Sequence, residues 1–253
     1  MDYTEINSKT IDRWVENGWE WGTPIPHETF VNAKNGEWDV LLTPTKFVPK
    51  EWFPELNGAK LLGLASGGGQ QMPIFTALGA VCTVLDYSEK MLDAERLVAE
   101  REGYEINIVK ADMTKRLPFE DNSFDIIFHP VSNCYVEDVY HVWNECYRVL
   151  KPGGTLLAGM DNGLNFLFDS YDHPLVIANT LPYNPLKNPE QMKKLMDGND
   201  GVQFSHTLAE QIGGQLKAGF ILKDVYEDFN SDPDAIADGI PAYWATKAIK
   251  PNN

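Results

Sequence analysis

The chain is short of cysteine, of positive charge and of long apolar runs, and each shortage excludes something. Cys82, Cys134 and Cys146 lie far apart, so they form neither a disulfide framework nor paired metal-ligand spacing, and no metal site is expected. Lys and Arg number 21 against 37 Asp and Glu, a formal net charge of −16 over 253 residues. So acidic a surface repels phosphate backbones, whose neutralisation supplies most nucleic-acid affinity. The basic pairs Lys115-Arg116 and Lys193-Lys194 are too small for a binding footprint. Nucleic acid and anionic membranes are therefore not expected partners. No uninterrupted apolar stretch approaches the ~18 residues of a membrane helix, and MDYTEINSKTIDRW lacks the basic-then-apolar order of a signal peptide. The expectation is a cytoplasmic protein.

Aromatic residues are concentrated instead. Trp14, Trp19, Trp21, Trp38 and Trp52 all precede residue 57, and Pro24, Pro26, Pro44, Pro49 and Pro54 interrupt the same segment. Ser8 is expected to cap a helix carrying Ile11, Trp14 and Val15 at helical spacing. From residue 59 strands and helices alternate: AKLLGLA, AVCTVLDY, INIVKAD, FDIIFHPV and TLLAGM read as strands. The helix SEKMLDAERLVAEREG is expected to start at Ser88 and stop at Gly103, and KPGG to end the helix VEDVYHVWNECYRVL. Thr207 and Glu210 have the spacing of a capping box, and FILKDV and PAYWATKAI read as a closing antiparallel pair. The pattern is α/β, a parallel sheet with helices on both faces. It divides the chain into an N-terminal helical and aromatic cap (1–57), a core (58–160), a proline-rich insert expected to act as a substrate lid (161–206), and a C-terminal helix and two strands completing the sheet (207–253).

One stretch raises a question of chemistry. LLGLASGGGQQ places Gly67, Gly68 and Gly69 between a strand and a helix, where free backbone N–H groups and the positive helix end meet a ligand. A nicotinamide dinucleotide would want G-x-G-x-x-G, but Met72 holds the third position. Asp86 follows Gly67 by 19 residues, about where an acid grips a ribose diol, and so suits either a dinucleotide or another nucleoside cofactor.

The order LLGLASGGG, VLDYS, VKADM, LPFEDNSFDIIF and YRVLKPGGTLL resembles the class I S-adenosylmethionine (SAM)-dependent methyltransferases, continuously over residues 59 to 159. The resemblance implies a Rossmann-like, doubly wound seven-stranded sheet, mostly parallel with one antiparallel strand. It implies SAM as cofactor and methyl transfer as the activity. Ala65, Ser66, Gly67 and Gly69 would wrap the methionine half; Asp86 would accept from the ribose hydroxyls, with Tyr87 beside the adenosine. Asp112 would accept from the adenine amino group, and Met113 would pack on the ring. His129 would lie near the methyl group as the candidate catalytic proton acceptor. The family usually has an acid two residues before the first glycine position of the loop; here those places hold Gly63 and Ala65, so the SAM ammonium would need backbone carbonyls near Gly63 and His129. HPVSNCYV replaces the D/N-P-P-Y element of exocyclic-amine DNA methylation, in line with the charge. The expected acceptor is a small molecule, neutral or cationic, with His27, Tyr135, Tyr171, His173 and His206 as further candidates on its side. A SAM-binding protein without methyl transfer, or a nicotinamide-dependent oxidoreductase, are the alternatives.

Overall fold

The computed structural model describes residues 2–169, 175–231 and 239–252. Two helices, α1 (Tyr3–Glu16) and α2 (His27–Lys34), precede β1 (Lys60–Leu64). Next come α3 (Gln71–Ala77), β2 (Val81–Asp86), α4 (Glu89–Glu102), β3 (Asn107–Lys110) and β4 (Phe124–His129). Then α5 (Val139–Val149) leads into β5 (Leu150–Asp161), and α6 (Pro189–Gly198) and α7 (Leu208–Ala218) into β6 (Ile221–Asp228) and β7 (Tyr243–Ile249). The strands form one sheet of order β3-β2-β1-β4-β5-β7-β6, in which β7 alone runs antiparallel to its neighbours.

Both faces of the sheet are covered, which is why its strands are apolar at consecutive positions. Leu61, Ile126 and Phe128 pack on one face with Phe75 and Trp52, whereas Leu62 and Ile127 pack on the other with Val139 and Trp143. The strand order reverses between β1 and β4, and at such a switch the loops after the strands part to leave a crevice.

The cap signals hold at Ser88, whose hydroxyl accepts from Met91 N–H, at Gly103 in the left-handed conformation, and at the Thr207–Glu210 capping box. Two expectations do not. Ser8 lies inside α1; Asp2 is the cap, and the Ser8 hydroxyl donates to the Tyr87 carbonyl (2.8 Å). KPGG does not end α5: the helix stops at Val149 and these four residues open β5, where Gly153 N–H donates to the Lys250 carbonyl. The inward face of α1 is also polar. Thr4, Asn7 and Thr10 are its buried residues, while Ile11, Trp14 and Val15 are half-buried.

Parts of the first 57 residues cross the carboxyl edge of the sheet, and the rest pack on one of its faces. Asp12 accepts from Ser88 Oγ and Lys90 N–H, the Trp19–Gly22 turn covers the glycine loop, and the Leu42 carbonyl accepts from Val131 N–H. Across that edge, Asn7 Nδ2 donates to the Val202 carbonyl (2.9 Å) and Asn7 Oδ1 accepts from Val202 N–H (2.6 Å).

Candidate active site

Above the switch point lies a cavity of about 420 Å³, running from the ends of β2 and β3 to the ends of β5 and β7. Ala65, Ser66, Gly67, Asp86, Tyr87, Asp112 and Met113 all line it. Ala65 holds a left-handed φ of 48°, a conformation that costs a residue with a Cβ roughly 1–2 kcal/mol and that accumulates at functional sites. A Cβ on Gly67 would stand 2.7 Å from Met91 Cβ and 3.0 Å from Asp86 Oδ2, so only glycine lets the loop approach β2 this closely. At Gly68 a Cβ would meet the Trp21 carbonyl at 2.4 Å, so the N-terminal segment rests directly on the loop.

Asp86 accepts from Gly67 N–H (3.1 Å) and Ser88 N–H (3.0 Å). Burial pushes its carboxyl above the ordinary range, and these donors pull it back towards the charged form. Asp112 Oδ1 accepts from Thr114 N–H (2.8 Å). Two carboxylates beyond adjacent strand ends, a loop that a Cβ would fill and the apolar Met113 in the same wall fit a nucleoside bearing ribose hydroxyls.

Three expected cofactor contacts fall behind the cavity wall. Gly69 N–H donates to Glu95 Oε1 (2.8 Å), beneath the loop. Gly63 faces α3, where a Cβ would stand 2.5 Å from Met72 Sδ. That contact also explains how Met72 fits at the third motif position. In the dinucleotide pattern a glycine on the helix gives close approach to the strand; here the glycine is on the strand and Met72 fills the space. His129 is fully buried, with Nδ1 2.9 Å from the Leu64 carbonyl and 3.4 Å from Ser132 Oγ, and Nε2 2.9 Å from Asn133 Oδ1. Burial lowers its basicity, and the side chain does not line the cavity. The expected proton-acceptor role for His129 therefore has no geometric support.

Of the other acceptor-side candidates, Tyr135 lines the cavity. His27 pairs with Glu102 Oε2 (2.8 Å) on the outside, and His206 donates to the Asn133 carbonyl (3.1 Å). Tyr171 and His173 lie outside the described residues. Sequence reasoning missed Thr4, Asn7 and Ser8 of α1, and Asp161, Asn165 and Gln203 of the insert, all in the cavity wall. The polar stripe of α1 was a usable signal, because a helix with no apolar inner face is covering something other than a core. Among the described residues no group of three or more His, Cys, Asp and Glu is placed to hold a metal, and no helix is long and apolar enough to cross a membrane.

Comparison with known proteins agrees with this architecture. The methyltransferase domain family matches residues 62–158. The "Uncharacterized methyltransferase YbaJ" of Bacillus subtilis is 45% identical over 249 residues, covering 96% of this chain and 97% of its own length. Sterol 24-C-methyltransferase erg6 of Aspergillus fumigatus is 29% identical over 71% of this chain, which spans 44% of that longer protein. Among solved structures, a SAM-dependent methyltransferase from Mesorhizobium loti superposes with a TM-score of 0.62 at 22% identity, covering 79% of this chain and 94% of its own, a likeness of fold. Nearly half of the residues are thus shared with a methyltransferase of matching length, and the sheet has the seven strands, one of them antiparallel, that the resemblance implies: the chain is a member of the class I SAM-dependent methyltransferases.

Proposed function

We propose that this enzyme methylates a small molecule held in the cavity at the β5 and β7 end, with SAM bound at the β1, β2 and β3 end. The observation that carries the reading is the cavity itself. Its volume of about 420 Å³ suits small-molecule sites, which run to ~300–1,000 Å³. No Lys, Arg or His lines it among the described residues, so it offers a phosphate polymer nothing. Ala65, Ser66 and Gly67 would hold the methionine half, Asp86 the ribose hydroxyls, Asp112 the adenine amino group, and Met113 and Tyr87 the ring. Gly63, Gly69 and His129 would act from behind, by keeping the loop and strand in place.

SAM supplies a methyl already activated by its sulfonium, so the chain's task is placement. Residues 1–57 would cap the cavity and 161–206 close its acceptor end, excluding water from a reaction in which a cation is neutralised. Walls of Trp19, Trp21, Tyr135 and Phe166 would hold the acceptor in line with the methyl, and such alignment supplies much of the rate gain.

Calorimetry with SAM, S-adenosylhomocysteine and NADH tests this reading. Both adenosyl ligands should bind and NADH should not. Asp86→Ala should weaken them about 10- to 150-fold, as expected for loss of hydrogen bonds to a charged group worth ~1.5–3 kcal/mol. Unchanged affinity in the variant would remove Asp86 from the cofactor site.

A further inference from the structure

The cavity is lined by three carboxylates, and their surroundings differ. Asp86 gives both oxygens to backbone N–H groups, and Asp112 Oδ1 holds Thr114 N–H. Asp161, the last residue of β5, accepts from Gly163 N–H through Oδ1 (3.0 Å), while its Oδ2 has no hydrogen-bond partner although the residue is only 4% exposed. A buried carboxylate oxygen without a partner, on a residue in a cavity wall, is costly to keep unless a ligand entering the cavity completes it.

Asp161 also stands apart from the nucleoside end. The order β2-β1-β4-β5 puts three strand spacings, about 14 Å, between the columns that carry Asp86 and Asp161. Its cross-strand partner is Tyr243 on β7, and Tyr135 and Phe166 stand in the same wall. Among the described residues no cationic side chain lines the cavity, so a ligand would bring Oδ2 its positive partner.

We propose that Asp161 receives the ammonium group of a small amine, the methyl acceptor, and takes one of its protons so that the nitrogen can be methylated. The proposal rests on the reading of the cavity as a methyl-transfer site and names the acceptor's class. Burial pushes the Asp161 carboxyl up to about 7, close to the range in which a carboxyl exchanges protons readily near neutrality. Aromatic rings beside the carboxylate favour a cation further. A carboxylate ligand would meet a like charge there with nothing to offset it.

The step balances. A proton passes from R–NH3+ to Asp161, and the freed lone pair forms an N–C bond to the methyl carbon. The C–S bond breaks with its electron pair going to sulfur, turning sulfonium into thioether. The methylated nitrogen departs as R–NH2–CH3+, and Asp161 returns its proton to solvent.

The test uses protein loaded with S-adenosylhomocysteine and three ligands of one skeleton: 2-phenylethylamine, 2-phenylethanol and phenylacetate. Calorimetry should give binding of the amine in preference to the other two. Asp161→Asn keeps an acceptor for Gly163 N–H; it should weaken amine binding at least tenfold while S-adenosylhomocysteine affinity stays within twofold. Retained nucleoside affinity also shows that the variant is folded. The proposal is overturned if the alcohol or acid binds better than the amine, if the amine does not bind, or if its affinity ignores the substitution. It is equally overturned if Asp161→Asn abolishes S-adenosylhomocysteine binding, which would assign Asp161 to the donor. Failure of wild-type protein to bind S-adenosylhomocysteine would instead strike the donor-site reading, and the acceptor class with it.

Discussion

At the scale of single residues, Glu95 shows how burial supports the site from below. It is wholly buried, Oε1 accepts from Gly69 N–H, and Oε2 has no partner. Desolvation pushes its carboxyl from 4.5 up to about 8. The native protein therefore keeps this proton up to about pH 8, whereas the unfolded chain releases it near 4.5. Between those values the native state binds more protons, so Glu95 makes stability fall as pH rises through the window. Glu95→Gln keeps an acceptor for Gly69 and removes the titration. Its melting temperature should match wild type near pH 4.5 and exceed it increasingly towards pH 8; parallel curves would place the Glu95 carboxyl in its ordinary range. Asp86 and Asp112 were legible in the sequence because each ends an apolar run beside a loop, a one-dimensional signal. The packing of Gly63 on Met72 was not legible because it depends on where Met72 comes to rest, and Asp161 was passed over because GMDNG looks only like a strand end. Burial and an unpartnered oxygen exist only in three dimensions.

At the scale of elements, the strands and most helices were readable from apolar runs and caps, since both sheet faces are covered and the runs are continuous. The KPGG stretch misled because paired glycines usually punctuate, whereas here backbone pairing to Lys250 carries them into β5. The route of residues 1–57 was hidden, because contacts with elements far along the chain, from the glycine loop to Val202, decide it. One such contact is severe: a Cβ on Gly159 of β5 would lie 2.0 Å from the Leu42 carbonyl oxygen. The clash is backbone against backbone, so Gly159→Ala should lift the segment around Leu42 off the sheet. Overpacking of this kind costs ~1–3 kcal/mol, about 3–10 °C of melting temperature in a chain of this size. Proteolysis should then cut within residues 1–57 faster than in wild type. An unchanged cleavage pattern would mean that the segment is held mainly elsewhere.

At the scale of the whole molecule, charge and cavity carry the same sign. A net charge of −16 outside and three carboxylates within should draw cations and leave neutral ligands unaffected. SAM carries one positive charge more than S-adenosylhomocysteine, so their relative affinity reads this field directly. Raising salt from 0.02 to 0.5 M shortens the screening length from roughly 20 to 4 Å; the preference for SAM should shrink while S-adenosylhomocysteine affinity barely moves. Equal salt responses would show that the outer charge does not reach the cavity. The Asn7 amide, bonded twice to the backbone of Val202, has a consequence for biosynthesis. The partners are 195 residues apart, so at ~5–20 residues per second the ribosome needs some 10–40 s to deliver the second after the first. Until Val202 emerges the buried Asn7 amide has only its longer contact to the Tyr135 carbonyl (3.4 Å), although the landing place of α1 on α4, through Asp12 and Ser88, emerges early. The nascent chain can thus dock its first helix long before the segment that holds the Asn7 amide most tightly has been made.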